Sequence, residues 1–130
     1  MDLSKDTLRK MYTTMATWCV ACREEIPHLN RIHSVFGGDT LQMIGVPIDE
    51  SEGPELLQSW LDANQPPYQL ASGLDSDDVA QVNEIILGEL GLDGVPVTIV
   101  TDSEGQVLLV RWGPPTVSDL RQLLWEEQHG

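Results

Sequence analysis

The sequence predicts a single α/β domain built on a mixed central β-sheet with helices on both faces. Three observations lead there. The chain has 130 residues and 41% hydrophobic content, enough to bury a core of its own. In its first half, two apolar runs of strand length flank a helical stretch, which demands a parallel pair joined by a crossover. In its second half, two strand-like runs are joined by a four-residue turn signature, which demands an antiparallel pair.

Residues 11–16 (Met-Tyr-Thr-Thr-Met-Ala) form a short β-prone run that leads directly into Thr17-Trp18-Cys19. Residues 20–36 carry Ile26, Leu29, Ile32, Val35 and Phe36 at helical spacing. Pro27 lies inside that helix and should kink it, because it has no N–H to donate. Gly37-Gly38 ends it. Residues 41–48 read as a buried parallel strand. A second helix starts at Pro54, carries Leu56, Leu57, Trp60 and Leu61 as its apolar stripe, and breaks at Asn64-Gln65-Pro66-Pro67. Residues 68–71 suggest a short strand. Residues 75–90 read as a third helix, capped by Asp75 or Ser76, with Val79, Val82, Ile86 and Leu90 inward. Residues 95–101 and 106–112 are strands joined by Asp102-Ser103-Glu104-Gly105. Residues 116–128 form the last helix, burying Leu120, Leu123 and Leu124.

The formal net charge is −14, and it is uneven: 17 acidic residues follow Gly38 against only Arg111 and Arg121. Such a chain repels nucleic acid and anionic lipid, so neither is an expected partner. The charge serves solubility or steers the chain towards a basic partner. No apolar run approaches the length of a membrane span, and residues 1–10 lack the apolar stretch of a signal peptide. If the protein is exported, its signal or anchor lies outside this sequence.

The chain's only two cysteines, Cys19 and Cys22, stand three positions apart. A disulfide that closes so short a loop restrains the unfolded chain little, so the pair points to redox chemistry or metal binding. Cys19 falls where a strand ends and a helix begins. First-turn N–H groups and the helix dipole favour its thiolate there, lowering a thiol that otherwise titrates near ~8.5 to about 7 or below. Cys22 lies one turn further in, more buried and less ionised. Cys19 is therefore the attacking sulfur and Cys22 the one that resolves a mixed disulfide. Trp18 can shield the thiolate and offer a partner a flat apolar contact, or it can simply pack in the core. Val20-Ala21 adds no histidine, which argues against a strong oxidant. Glu25, six positions after Cys19, lies on roughly the same side and could exchange the Cys22 proton, unless it belongs to a solvated helix face. Thr13 lies beneath the pair and cannot ionise. At Val95-Pro96 a cis bond would present the Val95 backbone to an extended substrate strand.

The segment Ala16-Thr17-Trp18-Cys19-Val20-Ala21-Cys22-Arg23-Glu24-Glu25-Ile26-Pro27, with Gly94-Val95-Pro96-Val97-Thr98, resembles the TlpA/ResA branch of the thioredoxin-like proteins. The likeness covers about residues 8–128, including an insert over residues 50–93. It implies a thioredoxin fold over residues 1–130 as one domain, excised from a longer exported or anchored chain. It implies extracytoplasmic thiol-disulfide exchange by a monomer that receives electrons from a membrane thiol reductant. Protein disulfides would be the substrates, as in cytochrome c biogenesis and cell redox homeostasis, with no cofactor beyond the Cys19–Cys22 couple and no metal. Residue by residue, the resemblance makes Cys19 the nucleophile, Cys22 the resolving thiol, Glu25 an active-site acid, Pro96 the cis-proline and Val95 its substrate-facing neighbour. Arg23 would be a surface residue. Trp18, Val20 and Val95 would form the docking rim. There are departures. Ala21 replaces the usual proline before the second cysteine, so a redox potential does not carry over. Thr13 replaces the buried acid of cytosolic thioredoxins. The strand or hairpin expected before the first βαβ unit is nearly absent.

Other readings are weaker. A metal-binding chaperone would need Cys19, Cys22, His28 and His33, but the two histidines are five apart on one helix and face different sides. His129 sits in the tail. A copper-carrying relative would space its cysteines one residue wider. A peroxide-reducing enzyme would lack the Trp-Cys-x-x-Cys arrangement, and a redox-dead module would lack the cysteines. Net disulfide oxidation stays open, because ~30 mV is worth about 1.4 kcal/mol and small local changes decide direction.

Overall fold

The computed structural model describes residues 9–37, 40–49, 51–70, 84, 88 and 94–129. Five strands form one sheet in the order β3-β2-β1-β4-β5. These are β1 (Arg9–Met15), β2 (Leu41–Pro47), β3 (Gln69–Leu70), β4 (Val97–Thr101) and β5 (Val107–Trp112). The β1/β2 and β2/β3 pairs are parallel, whereas β1/β4 and β4/β5 are antiparallel. The helices are α1 (Val20–Glu24), α2 (Ile26–Phe36), α3 (Pro54–Asn64) and α4 (Val117–His129). The α/β architecture with a mixed sheet is the one the sequence predicts. The third helix expected over residues 75–90 falls almost wholly outside the described residues, of which Glu84 and Gly88 are helical.

Strand alternation sorts the core. Met11 and Met15 of β1, with Met43 of β2 and Val100 of β4, join Ile26, Leu29 and Ile32 of α2 and Leu120 and Leu124 of α4 in one buried cluster that also holds both cysteines. Val97 and Ile99 form a second cluster with Tyr12 and Val110 packed against it.

Two boundaries differ from expectation, both because of proline. The helix expected over residues 20–36 is two helices meeting at Glu25. Pro27 cannot donate to the carbonyl of Arg23, so the ladder stops. It resumes when Leu29 N–H donates to the Glu25 carbonyl at 3.0 Å. The strand expected over residues 95–101 starts only at Val97. Pro96 has no N–H for the ladder, and its peptide bond to Val95 is cis. The other ends are ordinary. Gln65 closes α3 in the left-handed region. Asp102 Oδ1 accepts the N–H groups of Glu104 and Gln106 to shape the β4–β5 turn. The Thr116 hydroxyl accepts Asp119 N–H at 3.0 Å, capping the start of α4.

Candidate active site

The parallel β1/β2 pair and the antiparallel β4 bring three chain segments to one end of the sheet: the run after Met15, the loop after Pro47 and the segment before Val97. Cys19 caps α1 with extended backbone, and its Sγ accepts Cys22 N–H at 3.1 Å. This is the helix-terminus placement that favours a thiolate. The two cysteines form a disulfide with their Cα atoms 5.3 Å apart. Cys22 is fully buried. Cys19, expected to be the less buried of the pair, is so by little: it is only 5% exposed and does not face open solvent. In the disulfide form both sulfurs lie under the rim, and the asymmetry between them is one of degree.

Trp18 takes the exposed position instead, at 61%. It does not pack in the core. Its indole N–H donates to Asp49 Oδ2 at 2.8 Å. Asp49 Oδ1 accepts from the N–H and hydroxyl of Ser51 at 3.0 and 2.6 Å. These donors, Ser51 first and Trp18 next, hold the Asp49 carboxyl below the usual carboxylate range. The Glu52 carboxylate accepts Thr17 N–H with both oxygens at 3.1 Å and also takes the Thr17 hydroxyl. The loop between β2 and α3 thus holds the turn that precedes the cysteines. Neither acid was singled out in sequence, where both are unremarkable members of an acidic stretch. Val20, the residue after Cys19, is 54% exposed.

Glu25 does not lie on a solvated helix face. It occupies the α1–α2 junction at 4% exposure, and neither carboxylate oxygen has a hydrogen-bond partner. Burial pushes it up to about 8 from an ordinary 4.5, so it is neutral at pH 7. Tyr68 titrates higher than usual because it too is buried and because a negative charge on Glu25 opposes its own. Thr13, below, is buried with its hydroxyl unpartnered.

The residue that ties the site together is Thr14, one position from the threonine singled out in sequence. Its carbonyl oxygen lies 3.9 Å from Cys22 Sγ, placed to accept a hydrogen bond from the thiol once the disulfide is reduced. Its hydroxyl accepts Val97 N–H at 2.9 Å and donates towards the Gly94 carbonyl at 3.3 Å. Pro96 is buried, whereas Val95 is partly exposed and packs against the cluster that holds the cysteines. Thr14 and the shared cluster thus bring Cys19, Cys22, Val95 and Pro96 to one end of the sheet, with Trp18 just before the pair and Glu25 at the C-terminal end of α1. His28 and His33 are exposed on α2. Among the described residues no group of three or more His, Cys, Asp or Glu side chains is placed to hold a metal ion. Nor is any described helix long and apolar enough to cross a membrane.

The chain belongs to the AhpC/TSA family, whose model matches residues 9–110. It is 25% identical over 108 residues to the thiol-disulfide oxidoreductase ResA of Geobacillus thermodenitrificans (strain NG80-2). That alignment covers 83% of this chain and 56% of ResA, so the chain spans little more than half the length of that relative. Among solved structures it is similar to a thiol:disulfide interchange protein of the thioredoxin family from Chlorobium tepidum TLS. The TM-score is 0.72 at 22% identity, over 95% of this chain and 81% of the other. StoA from Bacillus subtilis matches with a TM-score of 0.62 at 17% identity, over 91% and 83% of the two chains. The fold is thioredoxin-like, and the resemblance carried by residues 16–27 and 94–98 stands.

Proposed function

We propose that this chain is a thiol-disulfide oxidoreductase that reduces or exchanges protein disulfides through the Cys19/Cys22 couple. The observation that carries the reading is the pair itself: a bonded Cys19–Cys22 with Cys19 as the cap of a helix and a neutral, buried Glu25 at the end of that helix. The name of the ResA relative supports it.

The steps balance as follows. With the couple reduced, the Cys19 thiolate attacks one sulfur of a substrate disulfide. A Cys19–substrate bond forms and the other substrate sulfur leaves as a thiolate, which takes up a proton. Cys22 then gives up its proton, to water or to the ionised form of Glu25, whose carboxyl titrates near 8, and its thiolate attacks Cys19 Sγ. The second substrate thiol is released and the Cys19–Cys22 disulfide remains. Two electrons and two protons have moved to the substrate. A dithiol donor returns them, and a membrane thiol reductant facing an extracytoplasmic compartment fills that role here, with cytochrome c maturation or related thiol homeostasis as the setting. Trp18, Val20 and Val95 form the rim that meets the substrate protein, beside the buried Pro96.

Reduction of insulin disulfides by dithiothreitol tests the reading. Wild type should accelerate it, Cys19→Ser should abolish the acceleration, and Cys22→Ser should accumulate mixed disulfides. Full activity in Cys19→Ser, or consumption of hydrogen peroxide in place of disulfide turnover, overturns it. Equilibration with glutathione reads the direction: a potential close to that of strong oxidants favours net oxidation.

A further inference from the structure

Among the described residues, the buried side chains that can ionise are Cys19, Cys22, Glu25 and Tyr68. The exchange steps use the first three. Tyr68 has no place in them, yet the cluster that holds both cysteines holds it too. Strand register explains how it comes there. Met11, Thr13 and Met15 alternate onto the face of β1 that this cluster covers. Thr13 pairs with Gly45 of β2, so Gly45 opens onto the same face. With no side chain at that position, the Tyr68 ring takes the space: a Cβ there would stand 2.5 Å from ring atoms Cδ1 and Cε1. The ring carries a hydroxyl into an otherwise apolar layer.

That hydroxyl has no hydrogen-bond partner, and neither has either carboxyl oxygen of Glu25. A buried tyrosine hydroxyl ordinarily finds a partner, because leaving it unpaired is costly. The two groups are close enough to interact: burial first, and then charge on Glu25, keep the phenol protonated. The charged groups on the surrounding elements are turned away. Arg23 and Glu24 of α1, His28, Arg31 and His33 of α2, Glu55 and Asp62 of α3, and Asp119, Arg121 and Glu126 of α4 are exposed. Arg9 and Lys10 lie at the far end of β1, and Tyr12 packs against the other cluster. Strands β2 and β4 carry no ionisable side chain. Beside the cysteines, Tyr68 is the polar titratable group left to face Glu25.

We propose that Tyr68, seated on Gly45, is a positioning residue of the exchange site, whose phenol donates to the ionised Glu25 carboxylate and so sets how readily Glu25 takes the Cys22 proton. The inference rests on the exchange reading above and adds a residue to it. A carboxylate only accepts and a protonated phenol donates, so charge on Glu25 turns two unpartnered groups into a pair, directly or through one internal water. A hydrogen bond to an ionised group is stronger than one between neutral groups. The phenol therefore favours ionised over neutral Glu25 and offsets part of the burial that keeps the acid protonated. Tyr68 neither gains nor loses a proton. The proton passes from Cys22 Sγ to the Glu25 carboxylate, and the Cys22 thiolate left behind attacks Cys19 Sγ.

Tyr68→Phe keeps the ring on Gly45 and removes only the hydroxyl. In the oxidised protein, the NMR signal of the Glu25 carboxyl carbon, identified by its loss in Glu25→Gln, reports its titration. Tyr68→Phe should raise the proton affinity of Glu25 about tenfold, the margin of a charged hydrogen bond over a neutral one. Tyr12→Phe, on the other face of β1, should leave it unmoved. In the reduced protein, a symmetric aryl disulfide releases one coloured thiolate when Cys19 attacks and a second when Cys22 displaces the mixed disulfide. The pH midpoint of the second phase should rise with the Glu25 titration in Tyr68→Phe, while the first phase keeps its wild-type profile. A Glu25 titration that Tyr68→Phe leaves in place or lowers overturns the proposal, and so does a raised titration with an unmoved second phase. A wild type that never releases the second thiolate overturns the exchange reading instead, since the titration of the oxidised protein does not depend on it.

Discussion

The Thr14 hydroxyl accepts the backbone N–H of Val97 at 2.9 Å, across 83 residues of sequence. The bond is buried and fastens the start of β4 to the strand that delivers the cysteines. Thr14→Val keeps the shape and removes the acceptor, leaving a buried N–H unpaired. The expected loss is about 1–3 kcal/mol of unfolding free energy, whereas Thr14→Ser, which keeps the hydroxyl, should lose less. Urea midpoints of the three oxidised proteins check this. Equal midpoints for Val and Ser would show that the bond carries little.

Glu25 predicts a pH dependence with a definite sign. Its pKa in the folded chain is about 8, above the ordinary 4.5. Below about 4.5 it is protonated in both folded and unfolded chains and costs nothing. As pH rises from there, the unfolded chain releases the proton while the folded chain keeps it, so stability falls until the folded pKa is passed. The loss is on the order of a few kcal/mol and is complete above about pH 8. Glu25→Gln cannot titrate and should flatten this slope, becoming more stable relative to wild type at the alkaline end. Urea unfolding across the window checks it; parallel curves for the two proteins would return Glu25 to a solvated role. The same variant should change the pH profile of Cys22 alkylation in the reduced protein.

Most of the framework was legible because local chemistry and tertiary packing agree over residues 9–70. Apolar runs 11–16 and 41–48 became β1 and β2 nearly residue for residue, and Pro54 and Gln65 bound α3 as their chemistry requires. What was not legible is what strand register and loop closure decide. Period-two alternation says that Thr13 and Thr14 face opposite ways, but not which of them meets a partner segment 83 residues on. The acids Asp49 and Glu52 look like solvated charge until the β2–α3 loop folds back on Thr17 and Trp18. Burial of Glu25 follows from the helix break at Pro27, which a continuous-helix reading of residues 20–36 conceals.

Asp49 predicts a second, acid-side effect. Its hydrogen bonds from Ser51 and Trp18 hold its carboxyl below the usual range, so the Trp18 contact persists at neutral pH and is lost as pH falls through that lowered value. Trp18 emission should therefore show an acid step that Asp49→Ala abolishes. With the tether gone, the indole should also become more mobile at neutral pH, read as lower fluorescence anisotropy in a chain where Trp18 is the tryptophan followed. An acid step that survives Asp49→Ala would assign it to another carboxyl.

Gly45 and Tyr68 give the most stringent test of packing. Gly45 faces Thr13 in the β1/β2 register, and a Cβ at that position would come within 2.5 Å of the Tyr68 ring atoms Cδ1 and Cε1. The Tyr68 ring therefore lies against bare backbone, with its hydroxyl buried and near enough to Glu25 for an ionised carboxylate there to raise its pKa. Gly45→Ala must push the ring aside at an expected cost of about 1–3 kcal/mol. Tyr68→Leu removes the ring atoms that collide, so adding it to Gly45→Ala should cost less than the sum of the two single changes. A double-mutant cycle in urea should show coupling of about 1 kcal/mol or more. Because the displaced ring sits beside the buried acid, Gly45→Ala should also shift the pH at which Glu25 titrates, and an additive cycle with an unmoved Glu25 would separate the two residues.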